Sequence, residues 1–219
     1  MIGISIAASK EWKVILDKYN KTEKDLIDYP YGEYFTININ NKDLIFYRCG
    51  TRKTKAAGAT QYMITKFNLN KIIVIGTAAG MNNNFNLLDI FIPNKALQVD
   101  CTYLENGDDF KEDYIVDIDL SKYNNIEFKT CTIGSSDKPM IHKEICELME
   151  NHGIDIVDME SAPIAYICKV NKIDCVIIKG ISDFPANYDY RDKNQFQEYI
   201  TNIPKVINKI CDEHLSKFI

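Results

Sequence analysis

Residues 71–76 read KIIVIG and residues 174–181 read DCVIIKGI. Both are short, continuous apolar runs rich in β-branched residues, the pattern of strands buried on both faces, not of strands alternating between core and water. Working outward, Met1 to Ala8 is a third such run and leads into an amphipathic stretch from Lys10 to Tyr19. Tyr34 to Ile39 and Leu44 to Arg48 form a hairpin pattern turning at Asn40-Asn41. A helix is expected over 56–67, shorter strands over 89–93, 96–100 and 128–134, and a helix over 142–152 stopped by Gly153. Residues 154–159 continue as a strand, 163–170 as a helix, and 195–218 as a closing helix bent at Pro204. Buried strands separated by helices define an α/β sandwich with a largely parallel or mixed sheet. No repeat, linker or low-complexity segment divides the chain, so residues 1–219 are expected to form one domain.

The composition narrows the function. Thirty-one acids against 26 bases give a net charge of −5, and only Arg48, Arg52 and Arg191 are arginine. Nucleic-acid binders carry a basic face, so none is expected to be a partner. The N-terminal apolar stretch is too short for a spanning helix or a signal peptide, so no membrane association is expected. Seven cysteines, scattered and without a C-x-x-C pair, speak for reduced thiols in a cytoplasmic protein, without a disulfide framework or a zinc cage. No metal or cofactor is implied.

In α/β sheets ligands gather at the carboxyl ends of strands. There the first strand runs through Ala7-Ala8-Ser9-Lys10 to Glu11, and KIIVIG ends in Thr77-Ala78-Ala79-Gly80. The strand from Ile154 ends in Asp158-Met159-Glu160, and DCVIIKGI in Ser182-Asp183. Each has a plain structural reading. Glu11 suits the dipole of a first helical turn, Gly76 to Gly80 can be a simple turn, and Glu160 and Asp183 can serve as helix-start or turn residues. Together they place three carboxyls on one functional edge.

Those segments, with RCGTRKTKAAGAT (48–60), IVDMESAPIAYIC (156–168) and VIIKGISDFP (176–185), resemble the nucleoside phosphorylase/nucleosidase superfamily over nearly the whole chain. Within it the resemblance is to the 5′-methylthioadenosine/S-adenosylhomocysteine nucleosidases. It implies a three-layer sandwich whose central mixed, twisted β-sheet is flanked by helices. It also implies hydrolysis of the N-glycosidic bond of a purine nucleoside, in methionine salvage. Asp183 would protonate N7 of the base, with support from Ser182. Glu11 would hold the attacking water, and Glu160, beside Asp158, would bind ribose hydroxyls with Met159 beneath the sugar. Ala8, Thr77 and Ala78 would line the ribose, Phe196 would pack on the purine, and Met140 would present a backbone group to the base. A homodimer is implied in which the second chain completes the pocket, with Tyr103 and its neighbours as the contributing patch.

The chemistry agrees with those roles. Cleaving the bond builds positive charge on the sugar and negative charge on the base, so an acid at N7 and carboxylates near the ring stabilise the transition state. A proton on Asp183 near neutral pH requires burial or a neighbouring negative charge to raise its pKa. Phosphorolysis is the alternative. The related phosphorylases carry a Gly-Asp-Pro-x-Arg segment where this chain has Ala7, Ala8, Ser9 and Lys10, leaving Arg48 and Arg52, near Lys53, as the candidate phosphate ligands. A non-catalytic nucleoside sensor is the third reading. The chain departs from the nucleosidases in Pro139 and Asn106, where aromatics are usual, and in Lys179, which replaces a frequent arginine.

Overall fold

A computed structural model describes residues 1–81, 84–101, 114–138, 147, 149–184 and 193–219, the side chains of 193–195 excepted. Tyr103, Asn106, Met140 and Pro139 therefore lie outside the described residues, as does most of the expected helix over 142–152. In chain order the elements are β1 (Ile2–Ile6), α1 (Ser9–Lys18), β2 (Ile27–Tyr29), β3 (Gly32–Ile39), β4 (Lys42–Arg48), α2 (Lys53–Phe67), β5 (Lys71–Gly80) and β6 (Ile90–Phe91). There follow β7 (Lys95–Gln98), β8 (Ile115–Asp117), β9 (Thr132–Ser135), β10 (Ile156–Asp158), α3 (Ser161–Asn171), β11 (Asp174–Asp183) and α4 (Lys193–Lys209). A π turn, Ile210–His214, passes α4 into a last turn of helix, α5 (Leu215–Phe218), so the closing helix runs through Pro204 and changes its winding six residues later.

The strands form one mixed sheet in the order β2-β3-β4-β1-β5-β10-β9-β7-β8, with β11 on β5 and β6 on β11. Helix α2 packs on α3 and α1 on α4, forming the helical layers that flank it. The two-residue turn of the β3–β4 hairpin has Asn40 and Asn41 at φ 53° and 61°, both left-handed as the twist of a tight hairpin requires. The main core runs from Ile4 to Phe218, and a smaller cluster of Leu97, Val99, Met149, Ile154 and Val157 lies beside it. Among the described residues no helix is long and apolar enough to cross a membrane.

β5 is the axis of the sheet. One edge pairs in parallel with β11 from Lys71↔Asp174 to Ala79↔Asp183. The other edge pairs with β1 only from Lys71 to Val74, then with the antiparallel β10 at Ala79 and Gly80. Between Val74 and Ala79 that edge has no neighbouring strand among these pairings. The sheet forks there, and the fork faces the start of α1.

Two sequence expectations change. The segment Thr77 to Gly80, read as a loop, is strand, because β11 and β10 supply ladder partners that override the weak strand preference of small residues. Residues 99 and 100, read as the end of a strand over 96–100, instead belong to a 3-10 turn, Val99–Cys101. The three-residue strands β2 and β8 were not expected; each is an edge addition held by its neighbour's register.

Candidate active site

Glu11 is the third residue of α1, and its Oε2 accepts the Ala8 N–H at 3.1 Å, which ties the carboxylate to the helix start. The plain reading of a capping acid is thus half right. An exposed acid it is not: Glu11 is 3% exposed, and its Oε1 accepts both the N–H and the hydroxyl of Thr77 at 2.7 Å. The Thr77 amide is one that the forked edge leaves without a strand partner, so Glu11 supplies the missing acceptor.

β10 and β11 deliver the next charges. Asp158 Oδ1 accepts the Ser135 hydroxyl at 2.5 Å and the amides of Glu160 and Ser161. Its Oδ2 accepts the Ser161 hydroxyl at 2.6 Å and pairs with Lys179 Nζ at 3.0 Å. Both partners are nearly sealed from solvent, with 2% of the Lys179 side chain and 4% of the Asp158 side chain exposed. Burial pushes the Asp158 carboxyl up, but Lys179 and the two serine hydroxyls outweigh it and hold the carboxyl below its usual range. Burial likewise disfavours the charged form of Lys179, yet Asp158, Glu11 and Glu160 together keep the ammonium well above its ordinary pKa.

Gly76 makes this arrangement possible. A Cβ at that position would lie 2.9 Å from Lys179 Nζ and 3.0 Å from Glu11 Oε1, so the two side chains occupy the space a larger residue would fill.

Glu160 caps α2 from a distance, its Oε1 accepting the Arg52 N–H at 2.8 Å. The next amide, that of Lys53, donates to Asp137 at 2.8 Å. Two carboxyls from separate strand exits thus satisfy consecutive amides at one helix start. Burial first, then the charge of Asp158, push the Glu160 carboxyl up to about 8. The sequence reading placed its expected pKa rise on Asp183 and did not anticipate this one.

At the end of β11 the register slips: Ile181 faces Ala78 and Asp183 faces Ala79, so Ser182 is an extra residue. Consecutive strand side chains point to opposite faces, and a bulge re-aims them. Here the Ser182 hydroxyl lies 2.6 Å from Asp183 Oδ1, with the Ala78 carbonyl as its weaker alternative at 3.4 Å. Asp183 is 8% exposed.

One side chain that sequence reasoning missed joins these groups. Tyr199 on α4 is partly buried, and after burial the largest influences raising its phenol are Glu11, Asp183 and Glu160. Glu11 and Glu160 thus act on both Tyr199 and Lys179, Asp183 on the former and Asp158 on the latter. Ser135, also missed, faces Asp158 directly in the β9–β10 ladder. Thr77 and Ala78 are buried at the fork, and Ala8 and Met159 are partly buried beside Glu11 and Glu160. Phe196 stands apart at 62% exposed, 6.2 Å from the Tyr199 ring with the Lys10 ammonium 5.1 Å from its centroid.

Of the two expected phosphate ligands, Arg48 is committed elsewhere, and so is the neighbouring Lys53. The Arg48 guanidinium donates to Glu33 at 2.7 Å and to Ser9 Oγ at 3.0 Å, and Lys53 Nζ pairs with Asp100 at 2.5 Å. The Arg52 side chain is exposed.

Residues 2–216 match the family model of the phosphorylase superfamily. A 5′-methylthioadenosine/S-adenosylhomocysteine nucleosidase of Geobacillus sp. (strain WCH70) is 25% identical over 211 residues, covering 89% of this chain and 90% of the relative. An aminodeoxyfutalosine nucleosidase of Campylobacter jejuni is 21% identical, with 97% of this chain and 98% of the relative aligned. Among solved structures, a Helicobacter pylori nucleosidase mutant with 5′-methylthioadenosine in the active site superposes with a TM-score of 0.74 at 21% identity, covering 97% and 98% of the two chains. A putative nucleosidase of the same type from Francisella philomiragia gives 0.76 at 18% identity, with 96% of each chain covered. These superpositions show the same fold, a mixed sheet between helical layers.

Proposed function

The chain belongs to the phosphorylase superfamily, and we propose that it hydrolyses the N-glycosidic bond of a purine nucleoside, 5′-methylthioadenosine or S-adenosylhomocysteine. The observation that carries this reading is the convergence of Glu11, Asp158, Glu160 and Lys179 at the forked edge of β5, with Asp183 in the neighbouring bulge.

In this proposal Asp183 is the general acid. The Ser182 hydroxyl donates to Oδ1, which directs the carboxyl proton to Oδ2, where it can pass to N7 of the departing base. Glu11 holds the water. Three donors fill three of the roughly four acceptor positions of a carboxylate, leaving one for a water O–H. Glu160, with a pKa near 8, exchanges hydrogen bonds with the ribose hydroxyls, while Asp158 and Lys179 fix the strand exit that carries it. Ala8, Thr77, Ala78 and Met159 line the sugar; the roles of Phe196 and Met140 toward the base, and of Tyr103 from the second chain of a homodimer, are those that the family resemblance assigns. Water is favoured over phosphate because Arg48 and Lys53 already hold carboxylates, and a dianion would have to displace them. We place the enzyme in the cytoplasm, as one domain acting in methionine salvage.

Two relatives named as aminodeoxyfutalosine nucleosidases favour a second substrate with a different 5′ substituent on the same scissile bond. A panel of methylthioadenosine, S-adenosylhomocysteine and aminodeoxyfutalosine, incubated with and without phosphate, separates the readings. Free pentose supports hydrolysis; a pentose 1-phosphate formed only with phosphate refutes it. Asp183→Asn should lower kcat on the cleaved nucleoside by about 10²–10⁴-fold, and near-wild-type turnover would remove Asp183 from its role.

A further inference from the structure

The bulge at Ser182 has a cost that the fold must meet. The extra residue of a bulge drops out of the ladder, and its carbonyl needs another donor. That donor is Asn202 on α4, 6% exposed, whose Nδ2 lies 2.9 Å from the Ser182 carbonyl. The orientation of the amide is set from its other side, where Lys205 Nζ donates to Oδ1 at 3.1 Å. An acceptor facing lysine leaves only the NH₂ to face the strand.

The helix can come this close because Gly180 has no side chain. A Cβ there would stand 2.5 Å from Val206 Cγ1 and 2.7 Å from Ile90 Cδ1, so α4 seats Val206 directly on the β11 backbone two residues before the bulge. One turn further, Lys209 Nζ donates to the Leu88 carbonyl at 3.0 Å, and the Leu88 amide in turn donates to Ile181. The row Asn202, Lys205, Lys209 thus grips both sides of the segment Gly180 to Asp183 from a single helix face.

We propose that Asn202 is a positioning residue: by holding the bulged Ser182 carbonyl it fixes the aim of the Asp183 carboxyl at the leaving base. The proposal rests on Asp183 being the general acid, and its distinctive consequence concerns the leaving group. A purine needs a proton to depart; a 4-nitrophenolate does not. Loss of aim should therefore slow nucleoside cleavage and spare an aryl riboside, whereas general damage to the site slows both.

The test compares kcat and KM on methylthioadenosine and on a 4-nitrophenyl riboside for wild type, Asp183→Asn, Asn202→Leu and Lys205→Met. Asp183→Asn calibrates the selective loss. Asn202→Leu should lower kcat on the nucleoside by about ten- to a hundredfold, the scale of a misplaced catalytic group, with KM and aryl riboside cleavage changed by less than about threefold. Lys205→Met, at an exposed position that leaves the core untouched, should shift the same ratio in the same direction by a smaller factor, and it decides the matter if Asn202→Leu does not fold. The proposal is overturned if both variants cleave the nucleoside at wild-type rate, or if both substrates slow by the same factor. If Asp183→Asn itself shows no selective loss, the reading of Asp183 has failed, and that outcome is distinct because it appears before any Asn202 variant is considered.

Discussion

Replacing Lys179 by methionine removes the buried cation that pairs with Asp158 within a group of buried carboxyls. At 3.0 Å and an effective dielectric constant of about 20, its attraction to Asp158 amounts to about 5.5 kcal/mol. The deletion also relieves the desolvation of the ammonium, so the expected net loss is about 3–5 kcal/mol, the range for breaking one side of a sealed pair. This is a large share of the roughly 5–15 kcal/mol that stabilises an ordinary domain. The pH dependence is the sharper signature. In the wild type the Asp158 carboxyl is held below its unfolded pKa of about 3.9, so its contribution is complete above that value and is lost only as pH falls through the lower folded one. Without Lys179 burial prevails and the folded pKa rises above the unfolded one. The variant then carries a penalty at pH 8 that protonation relieves toward pH 5, and the gap to wild type narrows on acidification. Guanidinium unfolding followed through Trp12, the only tryptophan, buried next to Glu11 in sequence and 5.5 Å from the Phe35 ring, reads this directly. A gap below about 1 kcal/mol at pH 7.5, as for a solvent-exposed pair, would refute the reasoning. So would a gap that widens as pH falls.

Glu160→Gln should behave in the opposite sense. A carboxyl raised from 4.5 to about 8 takes up a proton on folding, so wild-type stability declines across that interval and is level above it. The glutamine is already neutral and keeps an acceptor for the Arg52 amide, so its stability relative to wild type should climb between pH 4.5 and 8 by at most about 1.4 kcal/mol per unit; denaturation midpoints that run parallel through this window would contradict it. Gly76→Ala should cost about 1–3 kcal/mol through overpacking and depress turnover further by displacing Glu11 or Lys179. Steady-state kinetics with a melting curve would show both, and a fully active variant would mean that the gap at Gly76 is incidental.

The fold was legible where one residue type or one apolar run decides the outcome. KIIVIG and DCVIIKGI lie side by side in the sheet centre, and Asn40-Asn41 forms the left-handed turn that the hairpin needs. The carboxyls Glu11, Glu160 and Asp183 were legible as strand-exit residues, because apolar runs that end in acids are conspicuous. Other features depend on partners distant in sequence. Thr77 to Gly80 becomes strand only because β10 and β11 are there to pair with it. The slip at Ser182 is a register difference between two strands, and a register cannot be read from one strand alone. Lys179 in an apolar run looked like a departure from pattern; its place between Asp158 and the Glu11 carboxylate shows only once β5 and β11 are paired.

The fork in the sheet accounts for the position and the instability of the site together. A continuous sheet would satisfy every amide on the β5 edge and leave no reason for a carboxylate to enter. By exchanging β1 for β10 as neighbour, β5 exposes the Thr77 amide, and Glu11 is drawn in from the start of α1 to meet it. The same exchange brings Asp158 and Glu160 to the break, since β10 ends there. Among the described residues the cluster then holds more acids than Lys179 can neutralise, and one of them, Glu160, answers by keeping its proton. Stability is thereby given up at a place where electron-deficient sugar would be welcome, so changes that make the unliganded cluster more comfortable, such as Glu160→Gln, should stabilise the protein and disable it in the same step.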